Sequence, residues 1–144
     1  MPKKINDSVF GEMECYHQEY IKKKKVPFLN QMCEVEILVK TYNESILDKQ
    51  QEAYKYFLKN HEKVNSEIPK LIKDYIDENR EEIRHYYPEI DNIKNLSDLI
   101  KSNSLRFNRD GSVVFLCDVP WDEEHGIGIQ IYPEYKIDIQ DNFI

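Results

Sequence analysis

An α+β fold is what the sequence predicts: an antiparallel sheet from N- and C-terminal strands with a central helical segment packed on one face. Three observations carry it. Apolar positions alternate every second residue before Tyr42, they form a helical stripe from Asp48 to Tyr87, and they alternate again after Leu105. No repeat or low-complexity linker interrupts the chain, so residues 1–144 are expected to form one domain.

In the first region, Met13, Cys15 and His17 face away from Glu12, Glu14, Tyr16 and Gln18, which predicts a half-buried strand over Glu12 to Tyr20. The same logic places Cys33, Val35, Ile37 and Val39 opposite Glu34, Glu36 and Lys40 in a second strand that ends near Tyr42. Val26-Pro27-Phe28-Leu29 is apolar enough for a short strand between them, which Pro27 would confine to an edge or a bulge. The run Lys22-Lys23-Lys24-Lys25 reads as a solvated turn or an edge-strand guard.

The helical stripe runs through Ala53/Tyr54, Phe57/Leu58, His61, Val64, Ile68, Leu71/Ile72 and Tyr75/Ile76. Ser66 is spaced to cap a second helix with Pro69 in its tolerated first turn, so two helices or one kinked helix are expected. Ile83 and Tyr86-Tyr87 prolong the stripe until Pro88, and His85 suits the negative end of a helix dipole. Leu96 to Ser102 predicts one more short helix, starting near Ser97.

Leu105 and Phe107 lead into Asn108-Arg109-Asp110-Gly111, a hairpin signature. Val113 to Cys117 is apolar on both faces, as a covered central strand would be. Ile127, Ile129 and Ile131 form a further strand, Tyr132-Pro133-Glu134 turns the chain, and Tyr135, Ile137 and Ile139 return it.

Charge narrows the function classes. The chain has 27 acidic and 20 basic residues, a net charge of −7, and residues 104–144 carry eight acids against three bases. Such a field repels a phosphate backbone, so nucleic acid is not expected as a partner. Val113–Cys117 is the longest apolar run, far short of the ~20 residues that span a bilayer. Met1 to Asp7 has lysines but no apolar stretch behind them, and Cys15, Cys33 and Cys117 read as reduced thiols; both features point to the cytoplasm.

The densest polar constellation is Asp118-Val119-Pro120-Trp121-Asp122-Glu123-Glu124-His125-Gly126-Ile127-Gly128. A histidine beside carboxylates can act as a general base, so His125 with Asp118, Asp122 or Glu124 is the set a small hydrolase or metal-dependent enzyme would use. The same segment also reads as plain architecture, a polar loop in which the glycines permit a bend and Trp121 caps the core. No serine elbow, P-loop or zinc helix accompanies it. A mixed metal cage of Cys15, His17, Cys33 and Cys117 is conceivable, but the paired short spacings of zinc ribbons are missing, and neither metal nor cofactor is expected. Asp74, Asp77, Glu78, Glu81 and Glu82 form a second acidic run, which together with the loop could steer a basic partner.

Trp121-Asp122-Glu123-Glu124-His125-Gly126, followed by a strand, a turn and a strand ending at Ile139-Gln140-Asp141, resembles the W-D-x-E-H-G signature of a bacterial family of domains of unknown function. The turn Lys49-Gln50-Gln51-Glu52, opening a helix after an N-terminal strand pair, is similar to the same family. The resemblance names no reaction and carries over no catalytic residues; for some similar proteins the role implied is that of an antitoxin or immunity protein. The leading expectation is thus a non-enzymatic protein-binding module that neutralises a basic toxin through an acidic surface. Asp122, Glu123, Glu124 and His125 make the contact in this reading, with Trp121 as an aromatic anchor.

Overall fold

In the computed structural model, which describes residues 3–144, strands β1 (Lys3–Asp7), β2 (Gly11–Cys15), β3 (Glu19–Phe28) and β4 (Gln31–Lys40) come first. Helices α1 (Asp48–Lys59), α2 (His61–Glu78) and α3 (Arg80–Tyr86) follow, and then β5 (Lys101–Phe107), β6 (Val113–Asp118), β7 (Ile127–Tyr132) and β8 (Lys136–Ile139). The eight strands form one sheet in sequence order. All neighbours are antiparallel except β4 and β5, which run parallel from Glu36↔Ser104 to Val39↔Phe107 because the helices carry the chain back between them. The α+β expectation therefore holds, with one parallel seam added.

Short-range chemistry sets the turns. Leu29 and Asn30 both have positive φ (50° and 63°), the backbone of a two-residue hairpin whose twist matches the flanking strands. After β5, the Asp110 carboxylate accepts from the Ser112 amide at 2.8 Å and hydroxyl at 2.6 Å, while Gly111 takes φ 91°. At the first hairpin Asp7 accepts from the amides of Val9 and Phe10 (2.9 and 2.8 Å), which aims Phe10 inward. The Phe10 ring then stacks on Tyr54 of α1 at 4.4 Å and meets Phe107 of β5 edge-on at 5.3 Å.

The core lies between the helices and one face of the sheet, where Ala53, Phe57, Ile68 and Ile72 are buried with Ile37, Val39, Leu105, Phe115 and Ile129. The other face of β6 and β7 is covered by the C-terminal 3-10 turn, Gln140–Phe143, whose Phe143 ring lies over Gly128 and Val114. Val113–Cys117 is accordingly covered from both sides, as its unbroken apolar sequence implies.

Three local expectations are overturned. The strand read over Glu12 to Tyr20 is two strands: residues 16–18 form a turn because the carbonyls of His17 and Gln18 accept from the amides of Asn43, Thr41 and Tyr42. Ser66 caps nothing. It sits inside α2, its hydroxyl donates to the carbonyl of Lys63 at 2.9 Å, and α2 runs on through Pro69. An interior proline costs roughly 3 kcal/mol, but Val64, Ile68 and Ile72 are essentially fully buried and contribute about 1.5–3 kcal/mol each, so packing prevails. The helical break falls at Asn60 instead, where the side-chain amide donates to the Tyr56 carbonyl at 2.8 Å. The short helix read over Leu96 to Ser102 shrinks to a 3-10 turn, Leu96–Asp98; from Lys101 the chain is already β5, held by ladders to β4 and β6. The Lys22–Lys25 run is no turn: it lies within β3, paired to β4 on one side and beyond the short β2 pairing on the other, with the Lys22 amine turned in to the Phe10 carbonyl and the Tyr54 ring. Pro27 sits on the same stretch.

The parallel seam ends on a buried amide. Gln50, fully buried in the first turn of α1, donates to the carbonyls of Lys40 (2.8 Å) and Phe107 (3.1 Å), and its Oε1 accepts from the Leu47 amide at 2.9 Å. One side chain thus satisfies the ends of β4 and β5 and one orphan donor of the helix. Gln50→Ala should lower the unfolding free energy by roughly 2–4 kcal/mol, combining a cavity with the loss of the Gln50 donor to both carbonyls. Urea denaturation followed by circular dichroism measures this, and Gln51→Ala, on a half-exposed neighbour, should cost less than half as much.

Candidate functional site

The loop between β6 and β7 folds as a single helical turn. The Asp122 carbonyl accepts from the Gly126 amide at 2.8 Å, and the Asp122 carboxylate accepts from the His125 amide at 3.1 Å. Gly126 ends the turn at φ 63°; a Cβ there would strike the Cys117 carbonyl and the Gln140 side chain. Gln140 in turn donates to that carbonyl at 2.9 Å, clipping the C-terminus to β6. Gly128 is equally confined, since a Cβ would meet the Phe143 ring at 2.5 Å.

The loop faces the junction of α2 and α3. Asn79 stands at that junction, its side-chain amide donating to the Tyr75 carbonyl at 2.8 Å as Asn60 does to Tyr56. Between junction and loop opens a cleft of about 460 Å³. Tyr75, Asn79, Glu82 and Tyr86 line one wall, Asp122, Glu123, Glu124 and His125 the other, with Trp121 and Ile139 at the base. Its size is that of a small-molecule or side-chain site, and four carboxylates face it against one imidazole.

The imidazole is held. His125 Nδ1 lies 3.1 Å from Asp122 Oδ1, and because an ionised carboxylate can only accept, Nδ1 donates and Nε2 is the nitrogen that titrates. The bond to Asp122 and its charge raise the His125 pKa above the usual value, with smaller help from Glu124 and Asp141. Burial pushes the Tyr75 hydroxyl pKa up, reinforced by Asp138, Glu82 and Asp122.

The signature divides by direction. Trp121, only 8% exposed, belongs to the hydrophobic core, and Gly126, Ile127 and Gly128 are buried with it. Glu123 and Glu124 are exposed, while Asp122 and His125 are half-buried at the cleft. Asp118 stands apart: it is exposed at the end of β6, accepts from Asn103 at 2.7 Å and does not line the cleft. Of the second acidic run, Glu82 joins the loop carboxylates, whereas Asp77 is bonded to Arg80 at 2.7 Å. Tyr75, Asn79 and Tyr86 were not singled out for this site; the only signal in the sequence is Asn79, a helix-breaking residue within an apolar stripe. Cys15, His17, Cys33 and Cys117 are not gathered: His17 bonds Asn43 in an exposed turn, and Cys117 is wholly buried. Among the described residues no three His, Cys, Asp or Glu side chains come close enough to share a metal ion, and no helix is long and apolar enough to cross a membrane.

Gly128→Ala should destabilise the fold by about 1–3 kcal/mol through overpacking against Phe143, read as a lower melting temperature. An NMR titration should place the His125 pKa above ~6.5, and Asp122→Asn should return it toward that value. With the folded pKa raised, the stabilisation from the pair is complete below the unfolded pKa and disappears as pH rises through the folded one.

Neither a curated protein nor a solved structure matches the chain. A family model described as a domain of unknown function, DUF6985, matches residues 9–141, nearly all of the sequence, and the chain belongs to that family.

Proposed function

We propose that the protein is a non-enzymatic binding module whose acidic cleft receives a cationic segment of a partner protein, and that the partner is a basic toxin held inactive by the complex. One observation carries the reading: Glu82, Asp122, Glu123 and Glu124 converge on a cleft whose lining also includes the aromatic residues Tyr75, Tyr86 and Trp121. Carboxylates beside aromatic side chains suit an arginine or lysine side chain, which can gain a charge-assisted hydrogen bond and a ring contact together. The acidity of residues 104–144 supports it further, because a summed negative field speeds the capture of a basic protein. Trp121 shapes the base of the cleft from within the core, so the contact would fall to Asp122, Glu123 and Glu124.

The His125–Asp122 pair supports a second reading, a hydrolase in which Nε2 takes a proton from water. It would use His125 with Asp122 or Glu124 and not Asp118, which lies outside the cleft.

Co-expression with the product of a neighbouring gene separates the two. The binding reading expects a stable complex, loss of the partner's toxicity, and release by Glu123→Lys with Glu124→Lys. It fails if every neighbouring product ignores the protein while His125→Ala abolishes hydrolysis of an ester or phosphoester panel. Association should slow by about tenfold or more between low and physiological salt, as screening shortens the field. Binding should also tighten as pH rises through the elevated His125 pKa, since the imidazolium then no longer offsets one cleft carboxylate. Stopped-flow and calorimetric titrations measure these two effects.

A further inference from the structure

We propose that a second groove, between α2 and residues 88–99, binds a free single-chain fatty acid, with the aliphatic chain along Ile90, Ile93 and Leu96 and the carboxylate between Lys73 and Lys94. The groove measures about 460 Å³ and shares no lining residue with the acidic cleft. On one side α2 presents Pro69 and Ile76. On the other come Ile90, Ile93, Leu96 and Leu99, spaced every third residue. Two short 3-10 turns occupy much of that segment, Pro88–Asn92 and Leu96–Asp98, and a period of three residues per turn brings side chains at i and i+3 onto one face. Ile76, Ile90 and Leu99, buried in the core, form the floor of the groove, and the half-buried Ile93 and Leu96 stand at its side.

Its rim has the opposite sign to the rest of the molecule. Lys70, Lys73, Arg80 and Lys94 border the groove, with Asp77 as the one acid among its lining residues. Arg80 is occupied by Asp77 at 2.7 Å and Asp91 at 2.8 Å, and Lys70 reaches Glu67 at 3.9 Å. Lys73 and Lys94, one from each wall, have no ion pair or hydrogen bond to a side chain among the described residues. In a chain of net charge −7, two uncommitted ammonium groups across an apolar groove select a ligand with one anionic end and one aliphatic end. An alkylammonium would be repelled, and a neutral alkane would leave the charges unused.

Calorimetry on the full chain with octanoate, decanoate and dodecanoate, each below its micellar concentration, tests the assignment. Affinity should rise with each added methylene, by less than the roughly fourfold that full burial of one CH₂ gives, and NMR shifts should concentrate on Ile90, Ile93 and Leu96. Decylamine should leave the NMR shifts of Ile90, Ile93 and Leu96 unchanged, whatever it does at the acidic cleft. Lys73→Glu with Lys94→Glu should weaken decanoate at least tenfold with the far-UV spectrum unchanged; should that pair unfold, Lys73→Ala and Lys94→Ala singly provide the same comparison. The proposal is overturned if decylamine shifts the groove residues as decanoate does, if affinity ignores chain length, if the lysine variants bind decanoate normally, or if only phosphatidylcholine vesicles containing phosphatidylglycerol are bound. Variants at the acidic cleft should leave all these readings unchanged.

Discussion

The parallel seam between β4 and β5 is the constraint on which the rest of the architecture rests. A parallel pair cannot be closed by a tight turn, so the chain must leave the sheet, cross it as helix and return. That crossover places three helices on one face and determines which strands neighbour them. Gln50 sits where the seam ends and the helix begins, answering the carbonyls of Lys40 and Phe107 from a fully buried position. An apolar residue there would remove the Gln50 donor from both carbonyls, leaving Lys40 only a long bond from Arg109 at 3.5 Å, and a charged one would have to be desolvated.

From that frame the cleft follows. The crossover breaks into α1, α2 and α3 at Asn60 and Asn79, whose side-chain amides each satisfy the carbonyl four residues earlier. The second break sets α3 so that Tyr86 joins Tyr75 of α2 across from the β6–β7 loop. Within that loop, apolar and glycine positions serve the fold while polar ones meet solvent: Gly126 and Gly128 admit the C-terminal turn, Trp121 closes the core, and Asp122 orients His125. The charges that would meet a partner are thus mounted on a segment held in place from below, which limits the conformational entropy lost on binding.

The two recessed sites have opposite electrostatic character and lie on different flanks of α2. Positions 75, 79 and 82 along α2 and α3 face the acidic cleft, while 69, 73 and 76 face the lysine-rimmed groove. Helical geometry makes this separation possible, because residues three or four apart share a face and those one or two apart do not.

Much of this was legible in the sequence because the period of apolar residues is a local property. Alternation identified β4, β7 and β8, the stripe from Ala53 to Ile76 identified the helices, and the doubly apolar Val113–Cys117 identified a covered strand. The polar loop after β6 could be named as a candidate site from composition alone. Which residues stand opposite it could not, since Tyr75, Glu82 and Tyr86 reach the loop only after the chain has folded back through the sheet. Pro69 follows the same logic: its local cost is readable, whereas the burial of Ile68 and Ile72 that outweighs it depends on distant strands. Leu96 to Ser102 has helical residues in a place where two ladders wait for a strand. Local periodicity thus determined the elements and their buried faces, and tertiary packing alone decided their partners, because contacts between residues far apart in the chain leave no mark on the pattern of either segment.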